Sequence, residues 1–349
     1  MPDFAEFGLG VNLAAFATAA VLVWLAGSRI SRYADEISVR TGLSHALLGL
    51  LLLGGVTSLP EVAVTLSASL TGNPTLAVNN ILGGVAMQVA ILAVADFFMG
   101  RRALTAVVPD PVVLLQGSLN VVLLAVVAAA SVIADVTVLG VGLWSWLILA
   151  LFLLALRMLA SADQRRPWLS NISREQEKEE RAPDASKARA PDQSFAGLIG
   201  KSTAAGAVIL AAGYVVSRSA EVIADETDLG QSFVGAVLVA ISTSLPELST
   251  VLSAVRLNLY TMAISDILGT NLFDVALLFV VDAGSPDKSV LSSTGTFATV
   301  GAILGILVTG LFLVGLSERR DRTVLRLGVD STAVLVAYLG GLVLLYTLR

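Results

Sequence analysis

Two short strings carry the chemistry of this chain. Thr57-Ser58-Leu59-Pro60-Glu61 recurs letter for letter as Thr243-Ser244-Leu245-Pro246-Glu247, and each copy sets a carboxylate and a helix-breaking proline inside a long apolar stretch. A charged side chain at the centre of a bilayer costs at least ~2.5–3.5 kcal/mol, so an acid kept there marks a functional site. The proline adds ligands of its own. It lacks an N–H and clashes with the carbonyl four residues back, so Pro60 frees the oxygen of Val56 and Pro246 that of Ser242. Within a membrane such a break is tolerated only where it is buried in protein or lines a watered cavity.

Further oxygens stand at helical spacing. Thr57 and Glu61, like Thr243 and Glu247, are four apart and would share a helix face, while Ser58 and Ser244 precede the same glutamates by three. Thr270 and Asp274 are again four apart, and Asp274 follows Glu247 by 27 residues, just as Gln88 follows Glu61. Hard cations such as Ca²⁺ and Na⁺ prefer a flexible cage of carboxylate, carbonyl and hydroxyl oxygens. Single serines and threonines in membrane helices often bond only their own backbone; the glutamates have no such outlet.

The elements that position these residues are membrane spans. Of 349 residues 56% are hydrophobic and 14% charged, with a mean hydropathy of +0.84, against ~25% charged in soluble domains. The chain reads as an all-α integral membrane protein whose partner is the lipid bilayer; the net charge of −5 belongs to loops and does not suit nucleic acid. The absence of cysteine removes disulfides, iron–sulfur clusters and thiol chemistry. Apolar runs of about 20 residues fall at 6–27, 42–69, 75–98, 107–131, 137–160, 196–217, 231–256, 261–282, 295–316 and 329–347. Asp3 and Glu6 ahead of the first run are the reverse of a signal peptide's basic leader, so it reads as a span.

Lys and Arg gather on the cytoplasmic side of short loops. An outside N-terminus puts Arg29, Arg32, Arg40, Arg101, Arg102, Arg157, Lys201, Arg256 and the Arg319–Arg326 group inside, leaving only Arg218, Lys288 and Arg349 outside. Ten spans then return the C-terminus to the outside of the cell membrane. Sliding the sequence by 186 residues without a gap aligns 57–96 with 243–282 at 18 identities in 40 positions. Five spans per half is an odd number, so the halves enter the membrane with opposite polarity. Two inverted five-helix repeats with broken central helices are the architecture of many secondary transporters. The domain reading is a first repeat over 1–160, a charged cytoplasmic linker over 161–194 that cannot bury a core, and a second repeat over 195–349.

The doubled Thr-Ser-Leu-Pro-Glu, with Leu268-Gly269-Thr270-Asn271-Leu272-Phe273-Asp274, resembles the α-repeats of the sodium/calcium exchanger family. The resemblance implies a ten-helix fold that alternates access to central sites. It implies Glu61 and Glu247 as central carboxylates, oxygens from Thr57, Ser58, Thr243 and Ser244, and completion of the second half by Thr270 and Asp274. It implies Ca²⁺ and Na⁺ as transported ions with no further cofactor and no enzymatic activity. The first half departs from the family pattern Gly-Ser-Asn-x-x-Asn, with Gly83-Gly84-Val85-Ala86-Met87-Gln88 in its place. A hydroxyl is missing, and Gln88 stands where an Asn is usual. Two readings stand: either Gly84 leaves room for glutamine's extra methylene and an amide oxygen is kept at the ion, or the site is relaxed or altered. Asn79-Asn80 and Ser265-Asp266 replace the family's more usual Gly-Asn, which makes Asn80 and Asp266 second-rank candidates.

Na⁺/Ca²⁺ antiport is the leading expectation and divalent cation/H⁺ antiport the nearest alternative. A channel could use the same cage without alternating access. An intramembrane hydrolase would need a general base near Ser58 or Ser244, and His45, the one histidine, lies 13 residues from Ser58. His45 reads as interfacial, Asp110 as a loop residue between Pro109 and Pro111, and Trp24, Trp144 and Trp146 as anchors or packing.

Overall fold

A computed structural model describes residues 4–41, 54–99, 102–108, 111–165, 195–256, 258–285, 289–324 and 326–348. His45, Asp110, Lys288, Arg349, most of the charged linker (166–194) and the start of the second span lie outside them. The first half comprises α1 (Leu9–Thr41), α2 (Gly54–Thr57), α3 (Leu59–Leu70), α4 (Pro74–Met99), α5 (Leu104–Val107), α6 (Val112–Ala130) and α7 (Leu143–Arg165). The second comprises α8 (Phe195–Thr227), α9 (Gln231–Val234), a π-helical turn (Gly235–Val239), α10 (Ala240–Thr243), α11 (Leu245–Arg256), α12 (Tyr260–Ala283), α13 (Val290–Ser293), α14 (Gly295–Glu318) and α15 (Val329–Thr347). Two small antiparallel ribbons interrupt the helices, β1 (Thr137–Val138) with β2 (Val141–Gly142) and β3 (Thr323–Val324) with β4 (Leu327–Gly328).

Among the described residues eight helices are long and apolar enough to cross a membrane, and α9 to α11, bent by 44°, make a ninth. The expected tenth, 42–69, is represented by the shorter α3 and the single turn α2, because its first part lies outside the described residues. The first and sixth spans are longer than their apolar runs: α1 and α8 each hold 33 residues, about 50 Å at 1.5 Å per residue. They pack along each other and carry their helices past the apolar window into charged sequence. A helix satisfies its own backbone hydrogen bonds, so it need not stop where hydrophobicity stops.

Inversion is visible in how equivalent helices meet. Gly117 of α6 faces Leu313 of α14, while Leu124 of α6 faces Gly305, so the two run antiparallel at close range. Helices α4 and α12 occupy the centre, with 78% and 83% of their residues buried against 22% for α15. In the bilayer helix association relies on close packing rather than on the hydrophobic effect, and small residues permit it here: Gly83 lies against Ala236, and Gly235 against Leu76 and Asn80.

The 186-residue offset runs on beyond the pentads. Asp96, fully buried at the end of α4, accepts hydrogen bonds from the Leu104 N–H (2.6 Å) and the Gly328 N–H (2.6 Å). Asp282, at the end of α12, accepts from the Val290 N–H (2.7 Å) and the Gly142 N–H (2.7 Å). Each donor is the 186-residue counterpart of the other set's. Every aspartate thus starts the short helix that follows it in its own half and ties down the ribbon of the opposite half. A Cβ at Gly142 would run first into Asp135 Oδ2 and then stand 2.9 Å from Asp282 Oδ2, and one at Gly328 first into Asp330 Oδ1 and then 3.1 Å from Asp96 Oδ2, so both ribbons need glycine where two carboxylates converge.

Candidate functional site

Both pentads sit at a helix break. The first helical segment ends at Thr57 or Thr243, Ser58 and Ser244 form the turn, and a new helix starts at Leu59 or Leu245. Pro60 occupies the first turn of that helix, where its missing N–H is no loss. The break falls between Thr57 and Glu61 and between Thr243 and Glu247, and the backbone bonds Val62 N–H to Ser58 and Leu248 N–H to Ser244 carry the helix on across it. The hydroxyls also reach across the halves: Thr243 lies beside the Glu61 carboxyl and Thr57 beside that of Glu247. Each half therefore supplies the acid for the other half's threonine.

The partners on α4 and α12 close the arrangement. Gln88 donates from Nε2 to Asp274 Oδ2 at 3.0 Å, a contact between residues 186 apart. Thr57 Oγ1 and Thr270 Oγ1 stand 3.5 Å apart, and Ser58 lies beside Asp274 while its hydroxyl donates to the Gly54 carbonyl at 2.8 Å. Asn271, outside the predicted set, donates to the Val85 carbonyl at 3.4 Å, again across a separation of 186. Thr57, Ser58, Glu61, Gln88, Thr243, Ser244, Glu247, Thr270 and Asp274 are all at most 1% exposed.

The pattern of unmet hydrogen bonds shows what the site is shaped to hold. Neither carboxylate oxygen of Glu61 or Glu247 accepts a hydrogen bond, and Asp274 Oδ1, Gln88 Oε1 and the Ser244 hydroxyl are likewise unpartnered. No ion pair among the described residues reaches these acids. Buried carboxylates without a partner are costly, and acceptor oxygens turned inward call for positive charge. Among the described residues no three acids converge as a compact metal cluster. The oxygens gathered here are of carboxylate, hydroxyl and amide type, the mixed set that hard ions accept.

Two further features bear on the site. Asp266 is buried near Glu247 and takes a hydrogen bond from the Thr250 hydroxyl. Away from the centre, Trp146 packs edge-on against Phe279 with ring centroids 4.9 Å apart and donates to the Val138 carbonyl at 3.1 Å, consistent with packing.

The fold and sequence agree with known proteins. The chain is 27% identical over 308 residues to inner membrane protein YrbG of Escherichia coli, covering 82% of this chain and 90% of that protein. It is 25% identical, with the same coverage, to membrane protein MJ0091 of Methanocaldococcus jannaschii. Structures of the sodium-calcium exchanger NCX_Mj share the fold: one soaked without Na⁺ and Ca²⁺ matches 98% of this chain and all of that one with a TM-score of 0.59 at 17% identity. Another, soaked with Na⁺ and Sr²⁺, matches 89% and 97% with a TM-score of 0.55. The pattern of the sodium/calcium exchanger protein family matches residues 11–162 and 198–347, both sides of the cage. With its two inverted halves meeting at that cage, the chain belongs to the sodium/calcium exchanger protein family, whose members are membrane transporters and not enzymes.

Proposed function

We propose that the protein exchanges Na⁺ for Ca²⁺ by alternating access, with one set of buried oxygens serving the two ions in turn. The observation that carries this is the crossing of the pentads: Glu61 beside Thr243 and Glu247 beside Thr57, their carboxylate oxygens without a protein partner. Glu61, Glu247 and Asp274 supply charge. Thr57, Ser58, Thr243, Ser244 and Thr270 supply hydroxyl or backbone oxygens, and Gln88 an amide oxygen oriented by its bond to Asp274. Because each half contributes to every corner, a rocking of one half against the other opens the cage to one face at a time.

The charge distribution supports a cell-membrane orientation with both termini outside and the 161–194 linker in the cytoplasm, joining repeats 1–160 and 195–349. The relatives are consistent with the ion pair, since the fold neighbour is named a sodium-calcium exchanger. Flux into proteoliposomes tests the proposal. Uptake of ⁴⁵Ca²⁺ should require an opposing Na⁺ gradient, stall without a counter-ion, and be lost in Glu61→Gln and Glu247→Gln. Uptake driven by a proton gradient alone would reassign the coupling ion, and uptake retained in both variants would remove the glutamates from the site.

A further inference from the structure

We infer that Asp266, Thr250 and Glu247 form an accessory monovalent-cation subsite, of the Na⁺ class, joined to the second half of the cage and without a charged counterpart in the first. The inference rests on the cation-cage reading above and adds a binding position to it.

Asp266, Thr270 and Asp274 are spaced four apart on α12 and so line one face. Asp266 lies two turns from Asp274, about 12 Å along the axis, which takes it out of the shell that Gln88 and Asp274 define. It is 1% exposed. Its Oδ2 accepts from the Thr250 hydroxyl, which also approaches the Glu247 carbonyl at 2.9 Å. Its Oδ1 accepts nothing, and neither carboxylate oxygen of neighbouring Glu247 does. Both Asp266 and Asp274 lie near Glu247. Two carboxylates, a hydroxyl and a backbone carbonyl thus meet in one buried place, three of their oxygens without a partner.

Charge counting identifies the class of ion. Glu61, Glu247, Asp274 and Asp266 are four buried acids, and no ion pair among the described residues compensates any of them. A divalent ion in the central cage answers two of these four charges and leaves two, one of them on Asp266. Glu247 is shared with the central cage, so Asp266 is the one charge that the subsite adds, beside the Thr250 hydroxyl and the Glu247 carbonyl, a donor set matched to a monovalent ion more than to a second divalent. The first half cannot do the same: the 186-residue counterparts of Asp266 and Thr250 are Asn80 and Val64. The inverted repeat is therefore electrically uneven at this level, and the added capacity belongs to the second half alone.

Equilibrium binding of ²²Na⁺ and, separately, ⁴⁵Ca²⁺ to the purified full-length protein in detergent tests this. Asp266→Asn should bind one fewer Na⁺ per chain at saturation while its Ca²⁺ affinity stays within about twofold. Thr250→Val should weaken Na⁺ binding without lowering Ca²⁺ capacity, and Asp266→Glu should restore the lost Na⁺. An unchanged Na⁺ stoichiometry in Asp266→Asn, in a parent protein that binds both ions, overturns the subsite and leaves the exchanger reading intact. Loss of both ions together in Asp266→Asn and Asp266→Glu overturns it by assigning Asp266 to the central cage or to folding. A parent protein that binds neither ion removes both readings.

Discussion

Replacing Asp96 or Asp282 with alanine should destabilise the protein strongly, and to the same extent at both positions. Each carboxylate is at most 1% exposed and accepts two backbone N–H groups at 2.6–2.7 Å: those of Leu104 and Gly328 for Asp96, and those of Val290 and Gly142 for Asp282. A hydrogen bond to a charged group contributes about 1.5–3 kcal/mol, so losing two costs about 3–6 kcal/mol. Unfolding entropy of about 2.1 cal/mol/K per residue converts that to a melting shift of roughly 4–8 °C for a chain of this length. Thermal unfolding in detergent, followed through the four tryptophans, measures it. A shift below about 1 °C at either position would refute the clamp. So would a large loss at one position with none at the other, because the argument derives both from one inverted arrangement.

Gly142→Ala and Gly328→Ala should each cost about 1–3 kcal/mol by crowding the carboxylates of Asp135 and Asp330. The cost of Gly142→Ala should shrink in an Asp135→Ala background, since contacting residues are not additive; full additivity in the four melting temperatures would contradict the contact. Gln88→Asn shortens the side chain by one methylene and breaks the 3.0 Å bond to Asp274; apparent Ca²⁺ affinity should fall about tenfold for a loss of about 1.4 kcal/mol. An unchanged half-saturation in flux assays would take Gln88 out of the site. Acidification should slow Ca²⁺ exchange, because protons and cations compete for the same carboxylates and metal ligands must be deprotonated. A flux that rises steadily from pH 8 to pH 6 would oppose that competition.

Most of the candidate site was legible in the sequence because its signals are local. A carboxylate inside an apolar run is conspicuous wherever the run folds, and an identical pentad needs no geometry to be noticed. The proline announces the break at Ser58, but that Thr57 lies beside the Glu247 of the opposite half is in no local pattern. Asp135 and Asp321 were missed, although the signal was present. Asp135-x-Thr137-Val138-Leu139 and Asp321-x-Thr323-Val324-Leu325, followed by Gly142 and Gly328, keep the same 186 offset beyond a stretch of unmatched apolar residues. Asp321 accepts from the Ala103 N–H at 2.9 Å, and Asp135 accepts at the counterpart position from the Ser289 hydroxyl at 2.5 Å. The ribbons they serve are too short for any alternating pattern to announce them.

By itself the sequence determined that the chain lives in a bilayer, that it is two related halves of opposite polarity, and which oxygens are too costly to bury without purpose. These follow from composition, run length and repetition, which are properties of the chain before it folds. Tertiary structure alone decided which oxygens meet. Gln88 with Asp274, Thr57 with Thr270, and each aspartate clamp with the far ribbon join residues more than a hundred positions apart. Such pairs exist because antiparallel halves cross at the middle of α4 and α12, a geometry that no local spacing encodes.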